Sequence, residues 1–218
     1  MENIALRAIG TIFNIDLTTD TILSSSFTDK DAQYILGGFG FNTWYLHKHL
    51  SCVLPVPSAL SPENILMITP GLLTGSAVPA SSRVHLSARS PLSGLMGSSN
   101  IGGHIGTRLN SLNVASIIIS GRASDLSYIL VNKDGISIHR CEQIKDMDTR
   151  QTEHELRKRH KNKLTEIMCI GVGGENLVHY ACIMHGDDHA AGRTGLGAVM
   201  GSKNIKAIVV EGIKNIEN

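Results

Sequence analysis

Aromatic residues make up only 4% of this 218-residue chain, and charged residues only 18%. A base-stacking platform needs more of the former, and a phosphate-tracking groove needs a basic stripe. With a net charge of +1 and scattered Lys and Arg, the chain has neither, so nucleic-acid binding is excluded. No apolar run approaches the ~18 residues of a membrane span. The opening MENIALRAIG has an acid at position 2 and no apolar core, so no signal peptide is expected. Cysteine is sparse: Cys52, Cys141, Cys169 and Cys182 show no C-x-x-C spacing. That removes the iron–sulfur motifs and leaves free thiols in a reducing cytoplasm as the expectation.

Glycine is plentiful, with 22 residues gathered at 37–40, 71–75, 94–106, 171–174 and 186–201. Glycine lets a backbone approach a ligand closely and adopt positive φ. The richest stretch runs from His189 through Gly192, Arg193, Gly195, Gly197 and Gly201 to an apolar run at 205–210. An arginine among glycines offers a planar fork to phosphate or to a heterocycle edge.

The pattern occurs twice. Positions 104–121 align with 195–212 at a constant offset of 91, matching Gly106 with Gly197, Ser111 with Ser202, Asn113 with Asn204, Ile117 with Ile208 and Gly121 with Gly212. An ungapped register over 18 positions points to duplication of a unit: Gly-rich loop, short helix, Asn turn, buried strand. The expected units are about 1–122 and 123–213, within one domain over 1–218.

Periodicity predicts strands over 5–16, 21–27, 65–69, 84–87, 116–120, 126–132, 135–139, 165–170, 177–184 and 205–210. It predicts helices over 29–34 (Thr28 as N-cap), 41–50, 102–109, 148–161 and 195–201. Hairpins mixed with helices argue for the α+β class over a strictly alternating doubly wound sheet.

Several constellations can carry chemistry. Gly195-x-Gly197-x-x-x-Gly201 is akin to a dinucleotide fingerprint, although no strand runs directly into its first glycine. Cys182-x-x-His185-x-x-x-His189 has metal-site flavour if it is helical; loop histidines with ordinary partners are the alternative. Arg83, Arg89, Arg108 and Arg193 lie in Gly/Ser-rich surroundings, and a phosphate-bearing ligand would use two or more of them. For each of the four, a solvated surface arginine is the alternative.

Read together, the loops resemble a known family. Leu36-Gly37-Gly38-x-Gly40, Leu60-Ser61-Pro62-Glu63-Asn64, Pro70-x-x-Leu73-Thr74-Gly75-Ser76-Ala77-x-Pro79, Arg83, Arg89-Ser90-Pro91-Leu92-Ser93-Gly94 and Ser99-Asn100-Ile101-Gly102-Gly103 come first. Gly171-Val-Gly-Gly-Glu175-Asn176-Leu177-Val178 and Ala190-Ala191-Gly192-Arg193-Thr194-Gly195-Leu196-Gly197 follow in family order. They resemble the N-terminal domain of the aldehyde:ferredoxin oxidoreductases.

That resemblance implies an α+β base with an internal duplication. On it lies a tungsten or molybdenum ion held by the dithiolenes of two pyranopterins. It places Arg83, Asn100, Gly102, His189, Ala190, Gly192 and Arg193 on cofactor-binding positions. Backbone carbonyls of Asn100 and Ala190 would hold a Mg2+ bridging the two pterin phosphates. His189 and Phe39 stand where the family usually has arginine, and Ser81-Ser82 where it has a glycine pair. The family's [4Fe–4S] cysteines and aldehyde-pocket residues lie on helical domains outside these 218 residues. The implied partners are therefore those cluster-bearing helical domains or a subunit carrying them, and ferredoxin through the complete enzyme. A homodimer is a further expectation. The implied activity, aldehyde plus water to carboxylic acid, is not expected of this chain alone. A non-catalytic pterin carrier or a decayed relic is the alternative.

Overall fold

The strongest apolar runs become the central strands of two sheets. A computed structural model describes residues 10–27, 33–50 and 56–213. In the first unit, β1 (Thr11–Asp16) and β2 (Thr21–Ser26) form the expected antiparallel hairpin. There follow α1 (Gly38–Leu50), β3 (Leu66–Pro70), β4 (Val84–Arg89), β5 (Met96–Ile101), α2 (Ile105–Ser111) and β6 (Val114–Ser120). The strand order is β2-β1-β6-β3-β4-β5, with β6 parallel to β1 and antiparallel to β3.

The second unit repeats this arrangement. It contains β7 (Ser127–Asn132), β8 (Gly135–Arg140), α3 (Thr149–Arg159), β9 (Thr165–Cys169), α4 (Val172–Glu175), β10 (Ile183–His185), β11 (His189–Ala191), α5 (Leu196–Ser202) and β12 (Ile205–Glu211). Its order, read from the matching edge, is β8-β7-β12-β9-β10-β11, with β12 parallel to β7 and antiparallel to β9. Every strand of the first sheet thus has a counterpart in the second.

The offset of 91 holds residue by residue across α2–β6 and α5–β12. Ser111 donates its hydroxyl to the Arg108 carbonyl (2.7 Å), and Ser202 donates to that of Val199 (2.8 Å). Asn113 and Asn204 end the two helices in the left-handed region, at φ 57° and 56°. Asparagine tolerates that conformation, which is why it can terminate a helix where glycine otherwise does.

Five layers result. The short helices α2 and α5 each contact both sheets and lie between them. There Ile105, Leu109, Leu196 and Val199 join Ile68, Leu86, Ile117, Met168 and Ile208 in one core. The long helix α1 covers the outer face of the first sheet through Phe41 and Leu46, against Ile12, Met67 and Ile118. Similarly, α3 covers the second sheet through Leu156, against Ile167 and Val209. Central strands buried on both faces explain the mainly apolar make-up of β3 and β12, in which Thr69 and Lys206 are the buried polar exceptions. Fully burying each such side chain favours folding by about 1.5–3 kcal/mol. No helix among the described residues is long and apolar enough to cross a membrane.

Some sequence expectations need correction. Strand β5 reads Met-Gly-Ser-Ser-Asn-Ile and shows no apolar alternation; its pairing with β4 makes it a strand. The strand expected over 177–184 shrinks to Ile183–His185, because Leu177 (φ 57°) and the turn bonds at 178 and 181 curl the chain first. The loop over 171–175 contains α4. Helix α1 begins at Gly38, three residues earlier than expected. Thr28 and most of the helix expected over 29–34 lie outside the described residues, as does the start of the first strand.

Candidate functional site

The two units touch where edge strand β5 meets edge strand β11. The Ser99 hydroxyl donates to the Gly192 carbonyl (2.8 Å), and the Ser90 hydroxyl donates to the Thr194 carbonyl (2.7 Å). After each strand comes a loop that leads into the sandwiched helix: Gly102–His104 in the first unit, Gly192–Gly195 in the second. The second loop is one residue longer. Counting from the strand ends Ile101 and Ala191, Asn100 is the counterpart of Ala190, and Gly102 of Gly192.

Both loops are built of unusual backbone. Gly103 sits at φ 83°, and Arg193, Thr194 and Gly195 sit in succession at 60°, 53° and 72°. Non-glycine residues in that region cost on the order of 1–3 kcal/mol each, and such strain gathers at ligand sites. A Cβ on Gly195 would lie 1.9 Å from the His179 carbonyl oxygen, so only glycine fits. Around Gly192 nothing lies within 4 Å of such an atom.

Arg83, just before β4, and His189, at the start of β11, converge on Gly102. Arg83 Nη1 and His189 Nδ1 would each lie 3.2 Å from a Cβ placed there. Arg83, His189, Ala190 and Arg193 are exposed. The guanidinium groups of Arg83 and Arg193 have no hydrogen-bond or ion-pair partner among the described residues. The hairpin-tip carboxylate of Asp187 is already paired with Arg150 at 3.1 Å. Two uncompensated cations beside glycine loops form an anion-attracting surface.

Sequence reasoning missed His85. Its Nδ1 lies 2.6 Å from Asn100 Oδ1 and its Nε2 lies 2.6 Å from Ser98 Oγ, which fixes the Asn100 side chain. Burial lowers the His85 pKa, opposed by the Asn100 hydrogen bond. Phe39 packs edge-on against its ring at 5.1 Å. Only the β4–β5 pairing, which sets His85 opposite Asn100, could have revealed this contact. An open groove of about 410 Å³ runs here past Gly38, Phe39, Leu73, Arg83, His85 and Asn100.

The structure brings Arg83, Asn100, Gly102, His189, Ala190, Gly192 and Arg193 to this one junction. It does not bring Arg89 or Arg108. The Arg89 guanidinium donates to the carbonyls of Val56, Pro57 and Gly94, closing a turn. Arg108 packs its stem against Gly212. Gly197 and Gly201 are packing residues: a Cβ would strike the carbonyl of Cys182 at 2.5 Å and that of Gly174 at 2.0 Å. They bring α5 close to neighbouring backbone, which is a different task from cradling phosphate. His185 and His189 face each other across a hairpin rather than along a helix, because the Gly186–Asp188 turn reverses the chain. Among the described residues no three His, Cys, Asp or Glu side chains cluster to hold a metal. Desolvation pushes the buried thiols of Cys141 and Cys169 up to about 12, so they are inert.

Residues 12–212 match the family model of the aldehyde ferredoxin oxidoreductase N-terminal domain. The chain is 37% identical to a tungsten-containing aldehyde ferredoxin oxidoreductase of Pyrococcus furiosus and 36% identical to that of Pyrococcus horikoshii. Each alignment covers 95% of this chain and 34% of the relative. Among solved structures, the active-site complex BamBC of benzoyl coenzyme A reductase, bound to 1,5-dienoyl-CoA, superposes with a TM-score of 0.89 at 33% identity. That match covers 94% of this chain and 31% of the other. The chain therefore belongs to the family of aldehyde ferredoxin oxidoreductase N-terminal domains, and it spans about a third of the length of these relatives.

Proposed function

We propose that the paired loops seat a tungsten ion carried by two pyranopterins, with molybdenum as the alternative metal. The chain would then be the cofactor-binding part of a larger aldehyde:ferredoxin oxidoreductase. The pairing itself carries the reading: duplicated units, about 1–122 and 123–213, each present one equivalent loop to a common junction. Two equivalent loops suit two equivalent ligands.

The donor set fits. Pterin phosphates are anionic, and Arg83 and Arg193 are cations beside open backbone, unpaired among the described residues. Gly102 and Gly192 allow close approach, and His189 adds a ring nitrogen where the family has arginine. The carbonyls of Asn100 and Ala190 are hard oxygen donors of the kind Mg2+ takes, and would hold the ion that bridges the phosphates. Such a cofactor would bring its own dithiolene sulfurs for the tungsten, so this domain would need to supply no side-chain ligand. Bound there, the cofactor supplies the two-electron chemistry by which an aldehyde and water become a carboxylic acid, two protons and two electrons. A [4Fe–4S] cluster on helical domains or a partner subunit, and ferredoxin beyond it, would be the electron acceptors that the complete enzyme has to supply. This chain's residues bind, orient and screen; alone it is inactive. A cytoplasmic setting fits its free thiols.

Phe39 and His189, standing in place of arginines, favour a second reading: a non-catalytic pterin carrier. Protein isolated from its native host distinguishes the two. Tungsten or molybdenum with pterin, accompanied by a cysteine-rich chain or segment, supports the oxidoreductase part. Pterin without such an accompaniment supports the carrier. Protein free of metal and pterin sinks both.

A further inference from the structure

The two cofactor loops belong to different sheets, so their separation must be fixed by contacts between units. Ser90 and Ser99 supply hydrogen bonds on one side of the junction. On the other side lies a histidine that the cofactor reading does not use. His185 ends β10 and is 3% exposed. Its Nδ1 is 2.9 Å from the Ile167 carbonyl of β9. A carbonyl only accepts, so Nδ1 carries the hydrogen and the Nε2 edge is left for packing.

That edge lies against the first unit's loop. A Cβ on Gly103 would fall 2.6 Å from both Nε2 and Cδ2 of His185, and 2.9 Å from Cδ2 of His189. His185 also pairs in register with His189, and the two rings stack at 6.0 Å. One imidazole therefore touches β9, the Gly102–Gly103 loop and the strand that carries Ala190. Charge is not its means of attachment. Glu166 Oε2 stands 3.7 Å from Nε2, and Arg157 already engages Glu166 (3.6 Å) and Glu153 (2.8 Å).

We propose that His185 is a positioning residue: a buried spacer that sets the distance between the Gly102–Gly103 loop and the Ala190 strand. Its importance for the cofactor rests on the function proposed above, but the coupling of the loops does not. His185→Asn keeps a donor near the Nδ1 position and empties the space beneath Gly103. His185→Gln fills that space and loses the bond to Ile167. Hydrogen exchange on the isolated chain reads the difference. With His185→Asn, the amide of Arg108, bonded to the His104 carbonyl (3.0 Å), and that of Gly195, bonded to the Arg193 carbonyl (2.7 Å), should both exchange at least about tenfold faster, while β3 and β6 stay protected. His185→Gln should leave the Arg108 amide closer to wild type.

Wild-type exchange at the Arg108 amide in the Asn variant would overturn the proposal. If the Asn variant does not fold, the Gln variant decides: retained protection of the Arg108 amide supports the spacer and lost protection overturns it. In protein from the native host, His185→Asn should also shift the tungsten(V) paramagnetic resonance signal. A wild-type protein without tungsten would refute the cofactor reading and leave the exchange result to judge the spacer.

Discussion

Lys203 places a charge-bearing side chain where no surface is exposed. Its ammonium donates to the carbonyls of Pro62 and Gly121 (each 3.2 Å) and of Asn64, fastening a first-unit loop to the end of α5. Desolvation lowers its pKa to about 8. A lysine depressed in the folded state leaves the unfolded chain holding more protons between pH 8 and its ordinary value near 10.5. Stability must therefore rise with pH through that window, by on the order of 3 kcal/mol in the limit. Denaturant titrations across it should show the rise in the wild type and not in Lys203→Met; equal slopes would show that the ammonium is not destabilised. The glycines offer a second contrast. Gly195→Ala, with its Cβ driven into the His179 carbonyl, should cost more than about 3 kcal/mol or prevent folding. Gly192→Ala meets open space and should shift stability by less than about 1 kcal/mol, as thermal unfolding would record.

Helix α3 is held at both ends. Asp148 and Gln151 form a reciprocal capping box at its start. At its end, His160 links Glu211 (2.9 Å) to the Tyr128 hydroxyl (3.1 Å). Asp148→Ala should cost about 1 kcal/mol of unfolding free energy, and an unchanged denaturation midpoint would mean the cap is dispensable. At this scale the sequence was most legible where local rules govern. The α2–β6 and α5–β12 segments could be aligned without a gap because helix, Asn turn and strand are each fixed locally. Strand β5 could not be seen: its six residues hold a glycine, two serines and an asparagine, and only β4 makes them a strand. The equivalence of Asn100 and Ala190 was hidden from a constant offset, because the second loop has one extra residue. His185 was noticed for the wrong reason: a spacing that suits a helical metal site falls on a hairpin once Gly186 turns the chain.

Across the whole molecule, duplication is the organising fact. Two copies of one topology meet at their β5 and β11 edges, and that meeting creates a paired-loop surface that neither copy has alone. Family motifs located the loops in the sequence, but the contacts of Ser90 and Ser99 that join them are separated by 104 and 93 residues and had no local signal. Ser99→Ala should cost about 1 kcal/mol. If both loops share one cofactor, it should also lower tungsten content in protein from the native host more than it lowers stability. The most direct test asks whether one loop can hold its ligand without the other. Gly102→Ala and Gly192→Ala each place a methyl on one loop where the fold has room or only side-chain ends to move. Tungsten and pterin are then counted per chain in protein from the native host. The expected wild-type result is about two pterins for each tungsten, with each variant losing pterin and metal together. A variant that keeps one pterin at full occupancy, or a wild type with neither pterin nor metal, would contradict the shared seat.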